Sequence, residues 1–241
     1  MCTVTLIARK NGFALGMNRD ERRTRIAADA PSRHNLAGRT ALLPSEPGIG
    51  TWIGVNDAGV SCALINWYAI ARRAKNLPIS RGQVVTTALA AATVKEMKAL
   101  LEQLPLPRVN PFRLIGVFAP GRKVVEWRWN LKQLATIRHP WESATWISSG
   151  FDEAGAQKTR GKVFAEARLQ RTFGRLEWLR RLHRSHQPER GPYSTCMHRE
   201  EAVTVSYTEI VVCPGNAILR YQTGAPCETA RLKTYRLQLP R

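Results

Sequence analysis

No run of 18 or more uncharged apolar residues occurs in this 241-residue chain, so the sequence offers no helix that would cross a membrane. The opening segment does not read as a secretory leader either. Met1-Cys2-Thr3-Val4-Thr5-Leu6-Ile7-Ala8 has no basic stretch ahead of its apolar run, and Arg9 and Lys10 come only after it. A cytoplasmic location is the expectation. No internal repeat and no linker-like segment interrupts the chain, so residues 1–241 are expected to form a single domain. Cysteine is scarce and odd in number: Cys2, Cys62, Cys196, Cys213 and Cys227, no two spaced C-x-x-C. The five histidines (His34, His139, His183, His186 and His198) do not pair with them at ligand spacing. No zinc pattern is therefore expected, and no metal or cofactor is assigned. Free thiols in a reducing compartment are expected, with all but Cys2 serving as small core residues.

Acidic residues are also few. There are 18 Asp and Glu against 37 Lys and Arg, a formal net charge of +19, and 28 of the basic residues are Arg. Such an excess suggests nucleic acid, but no helix-turn-helix, RNA-recognition or zinc-finger pattern accompanies it. The denser basic tract at 158–190 reads first as a solvated helix face and second as a surface for phosphate or membrane headgroups. His183 and His186, three apart in that tract, read as a surface pair.

What is present is a succession of hairpin signals separated by helical ones. Cys2–Arg9 alternates as a strand, Asn11-Gly12 signals a tight turn, and a return strand runs from Phe13 to about Arg19. Thr51–Val55 and Val60–Asn66 flank a turn at 56–59. Ser80-x-x-Gln83 and Thr93-x-x-Glu96 resemble capping boxes and predict helices over 81–91 and 94–104. Phe112–Phe118, Lys123–Trp129 and Thr145–Ser148 read as strands. Leu169, Phe173, Leu176 and Leu179 predict one long helix over about 160–184. Val203–Val212 and Ala217–Gln222 form a last hairpin. Hairpin-linked strands with interspersed helices predict an α+β fold of antiparallel sheets, and strands apolar on both faces predict sheets covered on both sides.

If Asn11-Gly12 is the centre of a two-residue turn, Leu6 pairs with Met17, Val4 with Arg19 and Cys2 with Glu21. Alternation then places Cys2, Val4, Arg19 and Glu21 on one face, and Thr3 and Asp20 on the other. A thiol, a guanidinium and carboxylates near the chain start acquire meaning if Met1 is removed. Cys2 would then carry a free α-amine with an ordinary pKa of about 7.7–8.0, fit to act as a base at neutral pH. Arg19 would favour the nucleophilic thiolate, and Asp20 or Glu21 would orient the amine. Read without that processing, Cys2 merely begins a buried strand.

Three segments carry a family resemblance. Met1-Cys2-Thr3, Asn18-Arg19-Asp20-Glu21 and Gly50-Thr51-Trp52-Ile53-Gly54-Val55 together resemble the NRDE family, which includes the transport-and-Golgi-organisation 2 proteins; the likeness is clear over residues 1–67. It implies the N-terminal nucleophile hydrolase fold, a four-layer αββα sandwich. More distantly the start is similar to choloylglycine hydrolases and penicillin V acylases, in which an N-terminal cysteine attacks an amide carbonyl. Carried over residue by residue, the resemblance implies Cys2, Arg19, Asp20 and Asn66 as catalytic residues, with Asn66 as an oxyanion donor, and the hairpin geometry adds Glu21 as the alternative carboxylate. Asn18, Trp52 and Ser149 are the candidate substrate-binding residues. Two departures stand out. Ser149 occupies the place where many members carry a second Asn, and Ser194–Arg199 does not match the family's later motif, though His198-Arg199 could line the site. The implied activity is hydrolysis or acyl transfer at a non-peptide C–N bond of a small, anionic amide or acyl ligand. The competing expectation is a non-catalytic carrier for haem, acyl-CoA or a lipid-like anion.

Overall fold

The first hairpin sets the frame. In a computed structural model, which describes residues 2–48, 50–75, 78–228 and 231–240, strand β1 (Cys2–Arg9) is antiparallel to β2 (Gly12–Arg22). Met1, and with it the expected processing, lies outside the described residues. Arg9 pairs with Gly12, so the turn centres on Lys10 and Asn11 rather than on Asn11 and Gly12. Gly12 takes the positive φ, +123°, and a Cβ there would lie 1.9 Å from the Val212 carbonyl oxygen, which no side chain permits. The pairing accordingly differs from the expected one by two residues: Cys2 faces Arg19, Val4 faces Met17 and Leu6 faces Leu15. A two-residue shift preserves parity, so the expected division of faces holds.

The chain continues through β3 (Asp29–Leu36), β4 (Arg39–Ser45), β5 (Ile53–Asn56), β6 (Val60–Asn66), α1 (Arg81–Ala88) and α2 (Val94–Glu102). A short 3₁₀ turn follows, then β7 (Phe112–Phe118), β8 (Lys123–Trp129), β9 (Leu134–His139) and β10 (Ala144–Ser148). Helices α3 (Glu153–Ala167) and α4 (Leu176–Arg184) precede β11 (Ala202–Cys213), β12 (Asn216–Thr223) and β13 (Lys233–Gln238). These strands build two antiparallel sheets, one ordered β10-β1-β2-β11-β12-β13 and the other β3-β4-β5-β6-β7-β8-β9.

Three apolar clusters define four layers. Val4, Leu6, Phe13 and Leu15 of the first sheet meet Ile53, Val55, Ala63, Ile65 and Ile115 of the second in the central core. On the outer face of the second sheet, Cys62, Leu64, Leu114 and Trp127 pack on Val84, Val85, Met97 and Leu101 of α1 and α2. On the outer face of the first, Ile7, Ala14 and Val211 pack on Phe164, Trp178, Leu179 and Leu182 of α3 and α4. The expected α+β sandwich with both sheets covered is therefore the observed fold. Neighbours such as Cys62 and Ala63 point into different clusters, which is why these strands are apolar at both parities.

Both N-caps form, but only the second behaves as a box, since among the described residues the Gln83 side chain makes no return bond. Ser80 accepts from the Gly82 amide, Thr93 accepts from the Glu96 amide, and Glu96 reaches back to the Ala92 amide at 2.8 Å. The single long helix does not form. Residues 168–175 are turns between α3 and α4, with Gly174 at φ +84°, and the Trp178 indole donates to the Ala167 carbonyl at 2.8 Å, binding the start of α4 to the end of α3. Leu169, placed on the apolar stripe by helical spacing, is 86% exposed in this break. The basic tract is not uniformly solvated either, since Arg160 is buried. The cysteines divide as well: Cys2, Cys62 and Cys196 are buried, whereas Cys213 and Cys227 are only half-buried.

Candidate active site

Cys2 opens β1 between two neighbours, Arg19 on β2 and Ser148 on β10. Asn66 closes β6 in the facing sheet. Both residues line a cavity of about 250 Å³ at this end of the sandwich, together with Arg19, Glu21 and Trp52. Five of the sequence candidates thus converge there. The loop after β4 adds Glu46, the loop after β2 adds Arg25, and the start of α1 adds Arg81.

The motif Gly50-Thr51-Trp52-Ile53-Gly54 is held by close approach to α1. A Cβ on Gly50, whose φ is +102°, would sit 2.5 Å from the Gly82 carbonyl carbon, and one on Gly54 would sit 2.6 Å from Leu89 Cδ1. The two glycines let the strand lie against both ends of the helix, and this carries the N-terminal residues of α1 to the cavity. Trp52, fixed between them, stacks on the Arg19 guanidinium, whose centre lies 4.3 Å from the ring centroid.

The charges on this face form a chain. Arg19 donates to Glu46, and Arg25 clamps the same carboxylate at 3.1 and 2.6 Å. Glu21 stands 3.9 Å from both guanidinium groups. Burial acts to raise the Glu46 pKa, but the hydrogen bond from Arg25 and the charges of Arg19 and Arg25 outweigh it and hold the carboxyl below its ordinary value. Arg81, also facing the cavity, has its pKa lowered chiefly by burial. Its guanidinium donates to the Pro111 carbonyl at 3.2 Å, and among the described residues no carboxylate pairs with it. Burial also raises the pKa of the Cys2 thiol. A thiol in that state needs a base to become a nucleophile. The Asn66 side-chain amide donates to the Tyr68 hydroxyl at 2.8 Å.

The remaining candidates lie elsewhere. Asn18 and Asp20 alternate with Arg19 and Glu21 and project behind the sheet. Asn18 donates to the His183 and Thr195 carbonyls at 2.9 and 2.8 Å, and its oxygen lies 3.0 Å from His183 Nδ1. With both amide hydrogens spent on carbonyls, the His183 Nδ1 carries the proton of that bond. Burial, reinforced by the Arg160 charge, pushes the His183 pKa down to about 3, so the ring is neutral. Asp20 accepts from the Thr204 hydroxyl at 2.7 Å and pairs with Arg160 at 3.4 Å. Arg160 also donates to the Thr3 hydroxyl at 2.8 Å and the Pro192 carbonyl at 3.1 Å. Ser149 follows β10, with its hydroxyl 3.3 Å from the Phe151 amide, and is not among the residues lining the cavity. His198 and Arg199 are not among them either. Arg25, Glu46 and Arg81 were invisible to motif reading, the one local hint being Arg25 four residues after Glu21.

The chain is similar over nearly its full length to solved amidohydrolases. A C2A mutant of the conjugated bile acid hydrolase from Clostridium perfringens superposes with a TM-score of 0.60 at 13% identity, covering 98% of this chain and 97% of the other. Penicillin V acylase from Agrobacterium tumefaciens superposes with a TM-score of 0.56 at 10% identity, covering 99% and 86%. At such identities the likeness speaks for the N-terminal nucleophile hydrolase fold alone. No curated protein sequence matches the chain. No helix among the described residues is long and apolar enough to cross a membrane. The family model for transport and Golgi organisation 2 matches residues 1–145, well beyond the N-terminal motifs, and the chain belongs to that family.

Proposed function

We propose that the chain is an N-terminal cysteine amidohydrolase or acyltransferase acting on a non-peptide C–N bond. The observation that carries this reading is the convergence of Cys2, its cross-strand partner Arg19 and Asn66 on one small cavity. The proposal requires Cys2 to be the first residue of the mature chain. Its α-amine then accepts the thiol proton as sulfur attacks the carbonyl carbon, so no separate histidine base is needed. The new S–C bond leaves an oxyanion, which takes a hydrogen bond from Asn66 Nδ2. Cleavage of the C–N bond returns the proton from the ammonium to the leaving amine. Water or a second amine then resolves the thioester. Arg19, held by Glu46 and Trp52, stabilises the thiolate from across the strand pair. Asp20 acts as a positioning residue from behind. Arg81, which has no carboxylate partner among the described residues, and the N-terminus of α1 suit a substrate with an anionic group.

The second reading is a non-catalytic carrier of haem, acyl-CoA or a similar anion, and the cationic lining favours it. Two measurements decide between them. The intact mass of the purified protein should correspond to a chain beginning at Cys2, and an electrophilic acyl probe should label wild type but not Cys2→Ala. Residues retained ahead of Cys2, or labelling that survives the substitution, would overturn the enzyme reading.

A further inference from the structure

Behind the first sheet, four side chains from three separate segments point at one spot. His186 follows α4, Cys196 and His198 lie in the loop leading to β11, and Cys227 follows β12. Their ligand atoms all lie within 4.8 Å of one another. His198 Nε2 is 3.2 Å from His186 Nε2, 3.5 Å from Cys196 Sγ and 3.4 Å from Cys227 Sγ. One imidazole nitrogen has either a single hydrogen or a single lone pair, so it cannot satisfy three hydrogen-bond partners at once. Convergence of this kind is the geometry of groups that share a central atom.

We propose that His186, Cys196, His198 and Cys227 form a structural zinc site. With Zn–S near 2.3 Å and Zn–N near 2.0–2.1 Å, a tetrahedron requires N···N separations of about 3.3 Å and S···N separations of about 3.6 Å. The three distances around His198 fall within about 0.2 Å of those values, and the remaining separations, which extend to at most 4.8 Å, would close by up to about 1 Å around the ion. Two thiolates with two imidazoles are the donor set that selects Zn²⁺ over harder cations, and they balance its charge. Four protein ligands fill the tetrahedron and leave no open position, so the role is structural rather than catalytic. Each imidazole binds through Nε2 and keeps its proton on Nδ1. The exposed Arg190, now 3.3 Å from His198 Nδ1, must then swing away, because two donors cannot face each other. Sequence spacing alone missed the set because only Cys196-x-His198 is local; the other two ligands are delivered by the ends of α4 and β12.

The site clamps the loop that supports β2 from behind. Next to the ligands, the Thr195 carbonyl accepts from Asn18, and the Met197 amide donates to Thr204, whose hydroxyl holds Asp20. The ion would thereby fix the rear partners of two residues of the Asn-Arg-Asp-Glu segment. The test is metal titration of the reduced full-length chain after chelation and removal of bound metal. One equivalent of Co²⁺ per chain should produce tetrahedral ligand-field absorption with a thiolate charge-transfer band, and Zn²⁺ should displace it. The band should be lost in Cys196→Ser/Cys227→Ser and retained in Cys213→Ser. Absence of a thiolate charge-transfer band in the reduced wild-type protein would overturn the proposal, and that result does not depend on how any variant folds. So would a band of undiminished intensity that persists in the double variant. A Cys196–Cys227 disulfide in the isolated protein, with no metal uptake after its reduction, would also overturn it.

Discussion

The two faces of β2 use similar chemistry for different ends. On the cavity face, Arg19 and Glu21 meet Arg25 and Glu46 beside open space, and Arg81 keeps a guanidinium without a carboxylate partner among the described residues. On the rear face, Asn18 and Asp20 are buried completely, and their polar partners include His183, Thr195, Arg160 and Thr204. A tetrapeptide that reads as one motif is thus split by strand parity into a ligand-facing half and a half that secures the strand to α3, α4 and the loop before β11. A group with room beside it is suited to binding, whereas one saturated by protein partners is suited to support.

The comparison is broken most severely from the rear. Arg160→Met removes a buried cation paired with Asp20, which should cost about 3–5 kcal/mol of unfolding free energy. Adding Asp20→Asn should recover part of that loss, because the buried carboxylate charge is then gone. Urea unfolding of the two variants measures both effects. A stability loss well under 1 kcal/mol for Arg160→Met would mean that the rear face is not the structural half.

The cavity face should respond in the opposite sense. Asn66→Ala should slow acylation of Cys2 by about 10²–10³-fold, or roughly 3–4 kcal/mol of transition-state stabilisation, with little change in unfolding free energy. Single-turnover labelling with the acyl probe measures the rate. Equal labelling rates in wild type and Asn66→Ala would remove Asn66 from the oxyanion site.

Sequence reading reached this division only in part, and the reasons are physical. Parity alone separated Cys2 and Arg19 from Thr3 and Asp20, and it survived the two-residue error in register because the error was even. The turn was misread because Gly12 spends its freedom on approach to Val212 rather than at a turn centre. The edge strands β3, β9 and β13 went unread, as edge strands bury less and lack a strong apolar signature, but so did β4, an interior strand whose short apolar run Ala41-Leu42-Leu43 ends at Pro44. Trp52 and Asn66 were legible from motif resemblance. Arg25, Glu46 and Arg81 were not, because three loops or helix starts deliver them and their pairing exists only in three dimensions.

The smallest expected effect lies on the cavity face and is read through pH. Glu46 has an ordinary carboxyl value of 4.5, which the folded protein lowers through Arg25 and Arg19 against the opposing effect of burial. A depressed folded pKa stabilises the native state above the unfolded value, and that contribution disappears as pH falls through the folded value. The Glu46 contribution is therefore complete above about pH 5 and fades below 4.5. Arg25 is 40% exposed at its side chain, so solvent screens its share of the interaction to about 1 kcal/mol, and the buried Arg19–Glu46 pair adds to that share. Glu46→Gln should lower stability by at least that amount at neutral pH and converge on wild type in acid. The same substitution frees Arg19 from its nearest carboxylate, leaving Trp52 and the more distant Glu21 to hold it among the described residues. Labelling of Cys2 should consequently fall at neutral pH by more than the stability change explains. If the two losses instead track each other across pH, Glu46 belongs with Asp20 as a purely structural carboxylate, and the distinction between the faces of β2 fails at this residue.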